Sequence, residues 1–419
     1  MSVRLPYGRG FVDVRFPAGM EVEVVAPPAA PPPADEGEVV DRALDAPVGV
    51  PPLEEAARGA RRVTVVVPDR TRPARAGTVV ARVLDRLARA GVPHDGILLL
   101  VGGGIHAPAT PADALELLGE GVLARATWAA SDADDAAAHA DLPPGGPLPG
   151  ARAHRAVVEA DLVVLVGAVA PHYLAGFSGG AKSLVPGCAD RATVLAAHRR
   201  TLDATVAPDG SVRNLLGRAE GNPFRDALDG VARAHGRCFT VVTGLSGGRI
   251  VHAASGDVVL AHRTACAEHR RLFACARPAP ADLVVAGGGH PRDRDLLQAH
   301  KSLVVACDVA RAGAPVVWLA HAADGPGHPR FLPWFESGRL ERHLAALRRD
   351  FHPYGLTAYA FRWKCARHPV HAVSTQSRDV LRPMGLLPFE DAQAALDHAL
   401  AHHEVRRAVV LPAAADLFF

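Results

Sequence analysis

The feature that most restricts this chain is the apolar run Asp161-Leu-Val-Val-Leu-Val166 and the loop that follows it, Pro171-His-Tyr-Leu-Ala-Gly-Phe-Ser-Gly-Gly-Ala-Lys-Ser-Leu-Val-Pro-Gly187. A short run without polar alternation reads as a strand buried on both faces, as in a parallel sheet covered by helices. Ligands of open α/β sheets bind beyond the carboxyl ends of the strands, and this loop leaves from such an end. It offers an imidazole (His172), an amine (Lys182) and a Ser178-Gly179-Gly180 turn whose glycines let backbone N–H groups converge on an anion. The combination points to chemistry on a bound nucleotide-like group.

Gly176 to Ser183 matches the phosphate-loop pattern G-x-x-x-x-G-K-[ST] except at Ala181, where the second glycine belongs. A phosphate-loop lysine opens a long helix, whereas Pro186-Gly187 stops one within a turn, and His172 has no part in such a loop. A P-loop phosphotransferase is therefore disfavoured. The bland alternative for this loop alone is a glycine-rich strand-to-helix turn with a solvated Lys182.

Strand–loop–helix units recur along the chain. Strands are expected at 62–67, 97–101, 161–166 and 239–243, with helices at 76–90, 112–118, 189–200, 222–234 and 256–276. The first 25 residues alternate like half-buried strands, Pro27 to Pro33 is a linker, and 131–155 is too broken to read. An echo follows: Ala160-Asp-Leu-Val-Val164 returns as Ala281-Asp-Leu-Val-Val285, again feeding a glycine loop, Gly287 to Asp293. Later strands fall at 316–319, 370–374 and 408–411, with helices at 329–350 and 390–403. This predicts two α/β domains with mainly parallel sheets and the active site in the cleft between them. The expected division is 1–275 and 276–404, with a 405–419 tail packing back on the first domain.

Composition removes other classes. A net charge of +2 with dispersed arginines gives no footprint for nucleic acid or an acidic membrane. No export signal and no 18-residue apolar run is present. The six cysteines form no C-x-x-C pair and read as reduced thiols of a cytoplasmic protein.

Three strand ends carry loaded loops: Asp69-Arg70-Thr71-Arg72-Pro73, Gly104-Ile105-His106-Ala107-Pro108, and 171–187. With Gly288-Gly289-His290-Pro291-Arg292-Asp293 running on to Gln298 and Lys301, they resemble the nickel-dependent lactate racemase family, in the right order from about residue 60 to 340. The resemblance implies an isomerase, a 2-hydroxy-acid racemase or epimerase, using a nickel-pincer nucleotide made by dedicated cofactor-synthesis enzymes. By position, Lys182 would bond an arm of the cofactor and His198 would ligate nickel. Asp69, Thr71, Arg72 and the Ser178-Gly179-Gly180 turn would hold the cofactor and its phosphate. Arg70, Gln298 and Lys301 would bind the substrate, and His106 and His172 would be the two acid/bases. A hydroxyl proton would pass to one imidazole as the α-hydride moves to the cofactor, leaving a 2-keto acid that is reduced from the other face.

Two substrate-side positions depart from the family pattern. His290 replaces an aromatic residue, and Leu297 stands before Gln298 where the lactate enzymes carry tyrosine. Together they predict a 2-hydroxy acid larger than lactate. The alternative is a non-catalytic relative that binds or senses the cofactor, which the presence of His106, His172, Lys182 and His198 disfavours.

Overall fold

The apolar runs become the interiors of two separate sheets in a computed structural model that describes residues 1–419 except 30, 33 and 73. Pro73 of the Asp69–Pro73 motif and Pro33 of the linker thus lie outside the described residues. The chain divides into a first unit, residues 29–204 and 215–272, and a second, residues 1–28, 205–214 and 273–419.

The first unit holds a six-stranded sheet in the order Arg249–Asp257, Cys238–Ser246, Leu162–Val169, Val63–Pro68, Ile97–Gly102, Thr127–Ser131. All neighbours are parallel except the Cys238–Ser246/Arg249–Asp257 hairpin. Val63–Val67 and Leu162–Gly167 are buried at every position, which is why their sequence does not alternate. Val65, Val67, Leu99, Val164 and Val166 pack against Val79, Val80 and Val83 of the helix Ala76–Arg89. Helices Pro111–Leu118, Pro223–His235 and Val258–Phe273 follow the expected bounds closely.

The second unit holds a wholly parallel sheet in the order Leu387–Phe389, Val370–Val373, Val316–Leu319, Leu283–Ala286, Arg407–Leu411, Glu21–Val24. This corrects the expected division. Residues 1–28 belong to the second unit, and Arg407–Leu411 is an interior strand of its sheet. The cause is backbone pairing across the whole sequence: Glu21 to Val24 align with Arg407 to Val410, and Arg407 also reaches the Glu21 carboxylate at 3.0 Å. The hairpin Ser2–Tyr7/Gly10–Arg15 adds Leu5 and Val14 to a core with Leu283, Val285 and Leu319. The expected helix over 329–350 is broken at Ser337-Gly338 into a short 3-10 turn and the helix Leu340–Arg349.

Candidate active site

In the first sheet the chain runs outward from Val63–Pro68 through Ile97–Gly102 to Thr127–Ser131. It then returns to the opposite flank of Val63–Pro68 with Leu162–Val169. The order of strands reverses between these two neighbours, which makes this the topological switch point of the sheet. Three loops meet there. Gly104 N–H donates to Gly187 O at 2.9 Å, tying the second loop to the third. A Cβ on Gly103 would lie 3.2 Å from Asp69 Oδ2, so the first two loops also touch.

Asp69 and His106 form a short polar contact, Nδ1 to Oδ2 at 2.6 Å. The other carboxylate oxygen accepts from Thr71 N–H at 3.1 Å and Thr71 Oγ1 at 2.7 Å. Burial works to raise the Asp69 pKa, but the hydrogen bonds from His106 and Thr71 outweigh it and hold the carboxyl below its ordinary value. An ionised carboxylate only accepts, so His106 carries its proton on Nδ1 and keeps a lone pair on Nε2. With its side chain 39% exposed, that nitrogen is open to a substrate proton.

His172 is held the other way. Its Nδ1 accepts from the backbone N–H groups of Leu174, at 3.2 Å, and Ala175, at 3.1 Å. Two donors on Nδ1 leave the ring proton on Nε2.

The Ser178-Gly179-Gly180 turn is fixed by its own strand. Ser178 Oγ donates to Ala168 O at 2.6 Å and accepts from Ala170 N–H at 2.9 Å, so the hydroxyl serves the loop's shape. Gly179 and Gly180 take φ of +79° and +62°, which only glycine adopts without strain. Lys182 follows in the short turn Gly180–Ser183, and no long helix begins there, against a phosphate loop.

His198 lies on the helix Arg191–Thr205 and points its Nδ1 at Val194 O, 2.8 Å away. A carbonyl only accepts, so Nε2 is left with the lone pair. Burial lowers its pKa to about 4 against the opposing Val194 bond; the charges of Lys182 and Arg72 reach it and push the same way, and the His106 ring lies within the same reach. His198, Lys182, Arg72 and His106 therefore share one neighbourhood. Among the described residues no three His, Cys, Asp or Glu side chains are arranged to hold a metal ion.

Arg70 is not brought into this group. It is exposed and pairs with Asp113 at 3.1 Å, whereas Arg72 is the arginine whose charge reaches Asp69 and His198. In the second unit, Gln298 and Lys301 do meet, Lys301 Nζ donating to Gln298 Oε1 at 2.7 Å. Their helix, Leu296–Val309, is capped by Asp295, which accepts from Gln298 N–H. Leu297 is half-buried, and His290 is exposed with its N–H on Gly8 O at 2.8 Å. Sequence reasoning missed Arg225 and His262, which sit beneath the Ser178 turn. Arg225 and Asp229, four apart on one helix, are both buried.

The family model described as the lactate racemase N-terminal domain matches residues 7–208. The lactate racemase of Lactiplantibacillus plantarum is 30% identical over 302 residues, covering 71% of this chain and 68% of that protein. The lactate racemase of Thermoanaerobacterium thermosaccharolyticum is 28% identical over 312 residues, 73% and 70% of the two chains. The structure of the latter's apoprotein shares the fold, with a TM-score of 0.87 at 24% identity over 100% of this chain and 99% of that one. The chain belongs to the lactate racemase family. It is an isomerase. No helix among the described residues is long and apolar enough to cross a membrane.

Proposed function

We propose that the chain racemises or epimerises a 2-hydroxy acid with the help of a pyridinium mononucleotide that holds nickel between sulfur-bearing arms. What supports this reading is the Asp69–His106 pair, His198 within reach of Lys182, Arg72 and His106, and a loop bearing His172 and Lys182 that leaves the strand next to Val63–Pro68 at the switch point. The residues suit such a group. His198, a neutral imidazole with a lone pair on Nε2 and its ring fixed by the Nδ1–H bond to Val194 O, would be the protein's donor to a nickel ion held by sulfur. Lys182 supplies an amine for a covalent tether, and the amides of Gly179 and Gly180 supply the phosphate cradle.

When bound, such a cofactor supplies reversible hydride exchange at the α-carbon, so that the acid passes through a planar 2-keto form. The chain's own residues handle the protons and the carboxylate. His106 takes the hydroxyl proton on Nε2, and Asp69 stabilises the imidazolium that results. His172 donates a hydrogen bond from Nε2, and accepts a proton only when the 172–175 turn releases its Nδ1. Gln298 and Lys301 bind the substrate carboxylate. Arg72 takes the place beside Asp69 that its charge already occupies, and Arg70 has no part. With Leu297 and His290 in place of bulkier aromatics, the substrate is larger than lactate. Maturation depends on the cofactor-synthesis enzymes.

The test is co-expression with those enzymes, followed by nickel analysis, intact mass and chiral chromatography of single-enantiomer 2-hydroxy acids. Equimolar nickel, a mass increment lost in Lys182→Ala, and inversion of an acid longer than lactate are expected. Protein that takes up the cofactor and inverts no acid would overturn the catalytic reading, and a clear preference for lactate would overturn the size argument.

A further inference from the structure

Beneath the Ser178 turn lies a buried group with no role in the chemistry above. Arg225 is 1% exposed on the helix Pro223–His235, whose cap Asn222 also donates to Leu174 O at 2.9 Å. One Arg225 nitrogen donates to Gly179 O at 3.1 Å, and another donates to Phe177 O. Between them, His262, on the helix Val258–Phe273, donates from Nε2 to Ser178 O at 2.9 Å. Three consecutive carbonyls are therefore claimed from below.

A peptide unit is planar and trans, so its N–H points opposite to its C=O. Drawing the carbonyls of Ser178 and Gly179 down onto His262 and Arg225 turns the N–H groups of Gly179 and Gly180 the other way. The geometry is tight: a Cβ on Gly180 would lie 2.9 Å from the His262 ring. The guanidinium is also only loosely neutralised. Its nearest carboxylate, Asp229, stands 3.8 Å away, and Asp229 Oδ1 and Arg225 Nε have no hydrogen-bond partner among the described residues. A fixed cation thus backs two outward-facing amides.

We infer that Arg225, with His262, is the positioning residue of the phosphate cradle: it sets the peptide orientation at Gly179 and Gly180 and supplies the positive field behind them. This rests on the reading of that turn as a phosphate site. Arg225 does not touch the ligand. It acts through the carbonyls of Phe177 and Gly179.

The experiment compares nicotinamide mononucleotide with its nucleoside, which differ only by the phosphate, binding to the apoprotein by calorimetry. The variants are Arg225→Lys, Arg225→Met and His262→Leu, with the thermal midpoint of each recorded. Wild type should favour the mononucleotide by roughly tenfold or more, as charge-assisted bonds to a phosphate do. Arg225→Lys keeps the charge and loses the fork, so it should retain part of that preference. Arg225→Met and His262→Leu should bring it within about threefold, with nucleoside affinity unchanged, a pattern that general destabilisation does not produce. A folded Arg225→Met or Arg225→Lys protein with the full wild-type preference overturns the role of Arg225 and leaves the cradle standing. If Arg225→Met does not fold, Arg225→Lys and His262→Leu decide. Absence of any preference in wild type sinks the phosphate reading itself, and this inference with it.

Discussion

His106 and His172 follow neighbouring regions of one sheet, yet the same ring nitrogen, Nδ1, is engaged in opposite roles, as donor in His106 and as acceptor in His172. His106 is oriented by a side chain 37 residues away, a buried carboxylate that accepts its Nδ1–H. His172 is oriented by its own backbone, the amides two and three residues on. In the first arrangement a second proton would create an imidazolium that faces an anion. The second opposes one, because a proton on Nδ1 would point at two N–H groups. His154 and His352 accept from the amide two residues on in the same manner, so the His172 pattern is a local habit of the chain. Two histidines at strand ends are thus held in two different ways.

The largest effect that separates them is loss of the His106 base. His106→Ala should lower turnover by ~10²–10⁴-fold in both directions. Enantiomers have equal free energy, so kcat/KM must fall equally for the two, and any asymmetry of the site can appear only in kcat and KM taken separately. Activity within a few-fold of wild type would remove His106 from the mechanism. Asp69→Asn comes next, at the low end of that range, ~10²-fold, since an amide stabilises the imidazolium poorly. If the two act as one unit, the double variant should be little worse than His106→Ala alone, and additive losses would separate them.

What the sequence disclosed and what it hid follow from the same distinction between local and distant causes. Leu162–Val166 was legible because burial on both faces writes an unbroken apolar run, and the loops behind such runs carried His106, His172 and Lys182. The strand Arg249–Asp257 was not, since His252, Ser255 and Gly256 break its pattern and only its antiparallel partner Cys238–Ser246 defines it. The helix Pro353–Arg367 was missed for the opposite reason: Gly355 to Phe361 are all buried, so no amphipathic stripe marks it. The chain's first strands could not be assigned to the second unit, because that depends on pairing 386 residues away. In the site, Asp69 reads as part of a motif, but its partnership with His106 is tertiary. Arg225 gave no signal at all, since burial of its guanidinium is decided by the loop it supports.

The Asp69–His106 contact also has an acid limb that His172 should lack. The folded pKa of Asp69 lies below its unfolded value, so its stabilising contribution is complete above the ordinary aspartate value of ~3.9 and fades as the pH drops through the folded value. A hydrogen bond to a charged group contributes roughly 1–2 kcal/mol once the partly open His106 is discounted. Melting wild type and Asp69→Asn from pH 7 down to pH 3 should show a gap that closes on the acid side. A gap already closed above pH ~4 would mean that Asp69 is not held ionised by this pair.

The smallest effect is the most discriminating. If His172 acts chiefly by donating from Nε2, a glutamine there can replace the donor, because its amide N–H₂ reaches a similar distance without needing to titrate. His172→Gln should then keep activity within roughly tenfold of wild type, and clearly above His172→Ala, which leaves no donor. At position 106 the same change should give no such rescue: a glutamine cannot take up a proton, so His106→Gln should resemble His106→Ala. Nitrogen-15 spectra of histidine-labelled protein supply a readout apart from turnover, with the proton expected on Nε2 of His172 and on Nδ1 of His106. Equal rescue by glutamine at both positions, or a protonated Nδ1 on His172, would erase the asymmetry and restore a pair of interchangeable acid/bases. Rescue confined to His172 would leave His106 as the group that carries the proton, with His172 holding the oxygen from which that proton comes.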